Sequence, residues 1–339
     1  MVEGNSISAG FTALWRGLSG DEESAKIAAN LLTEKQIQVM EKARFAPTLR
    51  SLVGARATAV ESSLWQITDQ PGPNVGKENV DDQLLSAYLK GPPRSLVDAP
   101  NDSEWLSRWK DFENLRNSKT TEIETEKLPL KSGSRWHSTV IVSLGSGFDT
   151  RCISVRNKGN SEDFLWIRVD RECVQKLATE NCIERNCQNC FFLNGDVLAR
   201  STWTEIKRTL IKQQSLSPEK KKQTLIWLAE GLMEYLNESQ QNKMLEHITN
   251  VQRELESYYE GELLLALLSK AIDNPIRTHY GASFGWKWTD PAALQASLKN
   301  AGWVIPEGMP IKKSKETWGH AFRMTWKGTV TASQKGEDG

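Results

Sequence analysis

Seven apolar runs recur along the second part of this chain, and the first four end in a glycine or an acid. Thr139–Leu144 ends in Gly145-Ser146-Gly147 and Phe164–Val169 in Asp170. Cys190–Leu193 ends in Asn194-Gly195-Asp196, and Thr224–Leu228 in Ala229-Glu230-Gly231. Leu263–Leu268, Trp303–Ile305 and Phe322–Trp326 complete the series. Short apolar runs without polar alternation predict strands covered on both faces. Helix-like stretches follow Asp170 (to about Glu184), Asp196, and Ser239 (to about Tyr258), and a short amphipathic helix follows Asp290-Pro291. Strands alternating with helices predict βαβ units, so the expected class is α/β, Rossmann-like. The sheet is expected to be mostly parallel and seven-stranded, with an antiparallel C-terminal pair. Ligands of such sheets bind beyond the carboxyl ends of the strands, where Gly145, Gly147, Asp170, Asp196 and Glu230 fall.

Upstream, residues 1–65 read as helical: Asp21 to Arg44 predicts one helix, Pro47 interrupts it, and Thr48 to Leu64 predicts another. Residues 66–136 are polar and charge-mixed and are expected to be an insertion or cap before the first strand. The sheet unit spans 137–328, and 329–339 is expected to fray. With 43 basic and 43 acidic side chains there is no global field for nucleic acid or an anionic membrane, so neither partner is expected. Leu263–Leu268 is far shorter than the about 20 residues that cross a bilayer. Met1 to Gly20 lacks the pattern of a signal peptide. The 5 cysteines, an odd number, all lie from Cys152 to Cys190, which does not resemble a secreted disulfide framework. A reduced, cytoplasmic protein is expected. Cys182, Cys187 and Cys190 lack the second pair of ligands that structural zinc requires, so free thiols packed around the third strand are expected and no metal.

Asp170 lies 25 residues after Gly145, the offset at which an acid ending the second strand accepts both hydroxyls of a ribose. The dinucleotide fingerprint would place its third glycine at position 150, which is Thr150. Asp149 also sets an acid where a pyrophosphate would meet the helix N-terminus. A cofactor without phosphate, S-adenosylmethionine, meets no such objection. The residues therefore favour a methyltransferase over an NAD-dependent dehydrogenase.

Val142-Ser143-Leu144-Gly145-Ser146-Gly147-Phe148-Asp149-Thr150-Arg151 closely resembles the glycine motif of the leucine carboxyl methyltransferase family. That family includes protein carboxyl methyltransferases, wybutosine-type tRNA-modifying enzymes and tetracenomycin-type O-methyltransferases. Leu228-Ala229-Glu230-Gly231-Leu232-Met233-Glu234-Tyr235-Leu236 resembles its second signature. Fainter likeness falls on Thr12–Arg16, Gly54–Val60 and Phe284–Trp303; residues 66–135 have no counterpart, and the family's acid-proline pair near the N-terminal helix is missing. The resemblance implies a class I S-adenosylmethionine-dependent methyltransferase with residues 1–65 as a helical lid. It implies that Gly145 and Gly147 pass under the methionine part, Asp170 binds the ribose, and Asp196 and Val197 border the adenine. Arg56 would bind the cofactor carboxylate and Glu230 would sit near its amino group. Asp149 and Arg151 are expected to fix the loop through a local ion pair.

Most of the 13 tryptophans are expected in the core, Trp166 and Trp227 above all. Tyr280, Trp286 and Trp288, beside a glycine-containing loop, are candidates for an apolar substrate pocket. With 4 histidines, candidates for a general base are few: His279, His320 and Tyr235. A carboxylate acceptor, ionised at neutral pH, needs no base, whereas a phenol is helped by one. The expected function is O-methylation of a carboxylate or acidic hydroxyl of a small specialised-metabolism molecule. Methylation of a protein C-terminus, or a non-methylating cyclase or scaffold on the same fold, are the alternatives. Oligomeric state is not legible in the residues.

Overall fold

Each apolar run becomes a strand: the first keeps its bounds, the sixth is one residue shorter, and the others lengthen. The structure, a computed structural model, describes residues 4–18, 21–41, single positions between 53 and 68, position 114, and residues 137–153, 164–180, 189–217, 221–268, 291–304 and 319–328. Helices α1 (Gly4–Leu18), α2 (Glu22–Leu31) and α3 (Glu34–Glu41) precede β1 (Thr139–Leu144). Then come β2 (Phe164–Asp170), α4 (Glu172–Glu180), β3 (Cys190–Asn194), α5 (Arg200–Ser215) and β4 (Gln223–Glu230). A single turn of 3-10 helix, Met233–Tyr235, leads to α6 (Glu238–Glu254), β5 (Tyr259–Leu268), α7 (Pro291–Asn300), β6 (Trp303–Val304) and β7 (Gly319–Trp326).

The sheet is seven-stranded with order β3-β2-β1-β4-β5-β7-β6. Strands β1 to β5 pair in parallel, and β7 runs antiparallel to both β5 and β6. The α/β class, the seven strands and the antiparallel C-terminal pair agree with the sequence expectation. Chain order reverses beside β1, whose neighbours are β2 and β4, so Gly145 leaves the sheet at its switch point.

Alternation along β1 sorts two cores. Val140, Val142 and Leu144 join Trp203, Ile206 and Leu210 of α5, Met244 and Ile248 of α6, and Leu294 and Leu298 of α7. Ile141 faces the other way and clusters with Trp166, Ile226 and Leu264, covered by Phe11, Leu14 and Trp15 of α1 and Ile27 and Ala28 of α2. The N-terminal helices thus close one face of the sheet. Strand β5 begins before its apolar run because Gly261 leaves room for the buried Gln252 of α6. A Cβ there would stand 2.4 Å from Gln252 Cδ. The Gln252 Oε1 accepts from Trp227 Nε1 at 2.9 Å, satisfying both groups inside the core.

Two expectations need correction. The helix predicted from Asp21 to Arg44 breaks at Leu32-Thr33. Thr33 caps the next helix, its Oγ1 accepting from Gln36 N at 3.3 Å while its own N–H donates to Gln36 Oε1 at 2.8 Å. That reciprocal pair is the Thr-x-x-Gln capping box, readable in the sequence and outweighed there by the helix-forming composition on either side. Cys152 and Cys173 are free thiols as expected, but Cys190 is disulfide-bonded, to a partner outside the described residues. Cysteine spacing in sequence could not resolve which thiols meet at the start of β3. No helix among the described residues is long and apolar enough to cross a membrane.

Candidate active site

Beyond the carboxyl ends of β1 to β4 lies a cavity of about 360 Å³. Its floor is the loop after β1, where Gly145 and Gly147 adopt φ of 60° and 50°. A Cβ at Gly145 would stand 2.7 Å from Leu232 Cδ1. At Gly147 a Cβ would make an ordinary contact with Ala9 Cβ, at 3.7 Å. The glycines therefore keep the loop backbone bare towards the cavity.

Asp170, at the end of β2, accepts from Gly147 N at 2.7 Å through Oδ2 and from Arg171 N at 2.8 Å through Oδ1. Burial pushes its carboxyl above the ordinary value, and those two amides offset the effect only in part. Each oxygen keeps a lone pair for a donor in the cavity, since a carboxylate offers about four acceptor positions. Asp196 and Val197, after β3, line the far end. The Asp196 Oδ1 accepts from Leu198 N at 2.8 Å, an Asx-type turn, and Val197 offers a buried side chain. Tyr235 lies on the wall after β4.

Arg16, Arg56, Asp149, Arg151 and Glu230 form the remaining wall and belong to a longer chain of charges that ends in Asp21 and Glu234. Asp21 pairs with Arg16 at 3.4 Å, and Arg16 with Asp149 at 3.4 Å. Asp149 pairs with Arg151 at 2.7 Å, and Arg151 with Glu230 at 2.6 Å. Glu230 pairs with Arg56 at 3.4 Å, and Arg56 with Glu234 at 3.1 Å. Burial pushes Asp149 up, but Arg151 and Arg16 outweigh it and hold the carboxyl well below the usual range. Glu230 is likewise pushed up by burial and held below its ordinary value by Arg151, Arg16 and Arg56. Arg151 is raised, burial notwithstanding, by Asp149 and Glu230. Such buried pairs hold geometry more than they add stability, because desolvation offsets most of the attraction. Here they tie four separate parts of the chain together: Arg16 and Asp21, Arg56, Asp149 and Arg151, and Glu230 and Glu234.

The same network docks the N-terminal helices. Asp21 caps α2 through Ser24 N at 3.1 Å, and its Oδ2 accepts from Thr150 Oγ1 at 2.6 Å. The acid of Asp149 also accepts from Arg151 N at 3.0 Å. The amide that an incoming phosphate would need at this helical turn is thus already satisfied by a protein carboxylate.

All seven residues assigned by resemblance to cofactor binding, Arg56, Gly145, Gly147, Asp170, Asp196, Val197 and Glu230, line this one cavity, as does Tyr235. His279, Tyr280, Trp286 and Trp288 lie outside the described residues. His320 falls in β7, opposite Leu267. Three participants escaped the sequence reading. Arg16 and Glu234 fall within the stretches of family likeness but were given no role there, whereas Arg168, a charged residue inside an apolar strand, was visible as an anomaly. Among the described residues no three His, Cys, Asp or Glu side chains form a group that could hold a metal ion.

No family model matches the chain, and no curated protein does. It is similar to an O-methyltransferase family protein from Burkholderia thailandensis, with 10% identity over 68% of this chain and 61% of that one and a TM-score of 0.37. The chain thus spans less than two thirds of that protein. It is similar also to LepI in complex with SAM, with 11% identity over 95% and 86% of the two chains and a TM-score of 0.37. A third likeness is to an O-methyltransferase family 2 protein from Planctomyces limnophilus in complex with apigenin, at 12% identity over 93% and 96% and a TM-score of 0.35. These likenesses are distant.

Proposed function

We propose that this chain is an S-adenosylmethionine-dependent O-methyltransferase of the leucine carboxyl methyltransferase family, acting on a carboxylate or acidic hydroxyl of a small molecule. One observation carries the reading: a bare glycine loop, a strand-end carboxylate with spare acceptor capacity, and a wall of paired arginines and acids meet in one cavity at the switch point of the sheet. The residues suit this cofactor. Asp170 faces the place of two ribose hydroxyls, Asp196 and Val197 border the adenine, and Arg16, Arg56 and Glu230 present both signs of charge to an amino-acid zwitterion. A pyrophosphate would meet Asp149 instead of a free amide.

Once bound, the cofactor supplies a methyl group already activated by its sulfonium. The protein's own task is then placement of the acceptor oxygen in line with that methyl. A carboxylate acceptor is ionised at neutral pH and asks for no base; for a phenol, Tyr235 is the candidate among the described residues. Calorimetry tests the cofactor: S-adenosylhomocysteine binds and NAD does not. Methyl-labelled cofactor incubated with aryl carboxylates and phenols, read by mass spectrometry, tests the reaction. Binding of NAD without binding of S-adenosylhomocysteine refutes the proposal, and cofactor binding without transfer to any acceptor points to the cyclase or scaffold alternative.

A further inference from the structure

Arg168 stands in the interior of β2 with none of its surface exposed. Desolvating a charge there is costly, and the two Nη groups offset the cost through hydrogen bonds, whereas the Nε is left without a partner. Its Nη2 donates to the carbonyl of Gly147 at 2.9 Å, and its Nη1 to the carbonyl of Asp149. The same Nη1 lies 3.7 Å from Cys152 Sγ, and the guanidinium stacks 5.3 Å over the Phe192 ring. Two residues on, and therefore on the same face of the strand, Asp170 accepts from the Gly147 N–H at 2.7 Å. Both backbone groups of Gly147 are thus held from beneath by β2.

The clamp answers a physical need. Gly147 sits at φ 50° and has no side chain of its own to pack; a Cβ there would make only an ordinary contact with Ala9 Cβ, at 3.7 Å. A glycine in such a place has more conformational freedom to lose than any other residue. Arg168 supplies the restraint with a planar fork that reaches two carbonyls at once, which a point ammonium cannot reproduce.

Resting on the methyltransferase reading, we propose that Arg168 is a positioning residue: by fixing the Gly147 and Asp149 carbonyls it sets the loop against which Asp170 is aimed, and so governs recognition of the ribose hydroxyls of the cofactor. It touches no ligand itself. Calorimetry with S-adenosylhomocysteine and with its 2′,3′-dideoxy counterpart tests this on the full chain. In R168K the affinity for S-adenosylhomocysteine falls by at least about tenfold, whereas affinity for the dideoxy compound, which has no ribose hydroxyls to place, changes by less than about threefold. The double variant R168K/D170A binds S-adenosylhomocysteine no worse than about twofold below D170A, since the two act through one contact. A smaller loss in R168K, or an equal loss on both ligands, overturns the proposal by making Arg168 a purely structural residue. If R168K does not fold, R168Q takes its place in the same comparison of the two ligands, and the same outcomes uphold or overturn the proposal. Failure of the wild type to bind S-adenosylhomocysteine sinks the functional reading and is distinct from all of these.

Discussion

Replacing Arg151 by Met would cut the buried charge chain at its centre. The guanidinium contacts Asp149 through Nε at 2.9 and 3.1 Å and through Nη2 at 2.7 Å, and Glu230 through Nη2 at 2.6 Å. Its side chain is 4% exposed, so water cannot take over these contacts. Methionine fills much of the volume, which leaves the loss mainly electrostatic. Asp149 would keep Arg16 and Glu230 would keep Arg56, each at 3.4 Å. Removing one partner of a buried pair costs about 3–5 kcal/mol, and the surviving arginines place the expected loss near the middle, at about 4 kcal/mol. With a urea m-value of roughly 3 kcal/mol/M, the midpoint near pH 7 falls by about 1.3 M. Tryptophan fluorescence follows the transition.

The pH dependence adds a second, independent readout. In the wild type, Asp149 and Glu230 lie below their ordinary values of 3.8 and 4.5. Their ionisation stabilises the fold above those values, and the gain disappears as pH falls through the depressed ones. Without Arg151, burial, the largest influence on both groups, is less fully opposed and both move upward. A carboxyl raised in the folded state favours folding on acidification, so the variant recovers part of its loss as pH falls through the raised values. The gap between variant and wild type should therefore narrow between about pH 7 and about pH 5. A loss under about 1 kcal/mol near pH 7, or a gap that widens on acidification, refutes this account of the wall.

Three further outcomes follow from individual contacts. Asp170→Ala strips the acceptor from Gly147 N and from the ribose, and should weaken S-adenosylhomocysteine binding by about 1–3 kcal/mol, or roughly 5- to 150-fold, in calorimetry; unchanged affinity would move the ribose role elsewhere. Gly145→Ala forces a Cβ onto a left-handed backbone at φ 60°, 2.7 Å from Leu232 Cδ1, and should lower stability by about 1–2 kcal/mol in a thermal melt, more if Leu232 cannot shift. Gln252→Leu leaves Trp227 Nε1 without its acceptor in the core and should cost about 1–3 kcal/mol in denaturant unfolding; a variant as stable as the wild type would mean that another acceptor reaches the indole.

Strand positions were legible because a strand buried on both faces must be apolar along its whole length, and Val140 to Leu144 or Leu225 to Ala229 leave no other account of themselves. The polar residues that end those runs located the cavity for the same reason: a glycine or acid closing an apolar strand marks where backbone meets solvent or ligand. Gly145, Gly147, Asp170, Asp196 and Glu230 could therefore be placed together from sequence spacing and resemblance before any coordinates. Less was visible where local choices compete. The break at Leu32-Thr33 rests on a capping box of two side chains, set against some twenty residues of helix-forming composition.

What the sequence alone determined is thus the α/β class, the strands and the strand-end residues, all consequences of short-range pattern. Tertiary structure alone decided how the charges link into one chain. The Asp149–Arg151 pair was expected from sequence and Arg56 was marked by resemblance, but Arg16, Arg56, Arg151 and Glu234 come from segments far apart in the chain, and no local pattern joins one pair to the next. Only folding removes them from water, and an unpaired charge in that setting costs several kcal/mol, so the fold must bring each an opposite partner. Arg168 shows both sides of this division. Its presence inside an apolar strand was written in the sequence, but the two loop carbonyls that justify it lie 21 and 19 residues away along the chain and become its neighbours only when β1 and β2 pair.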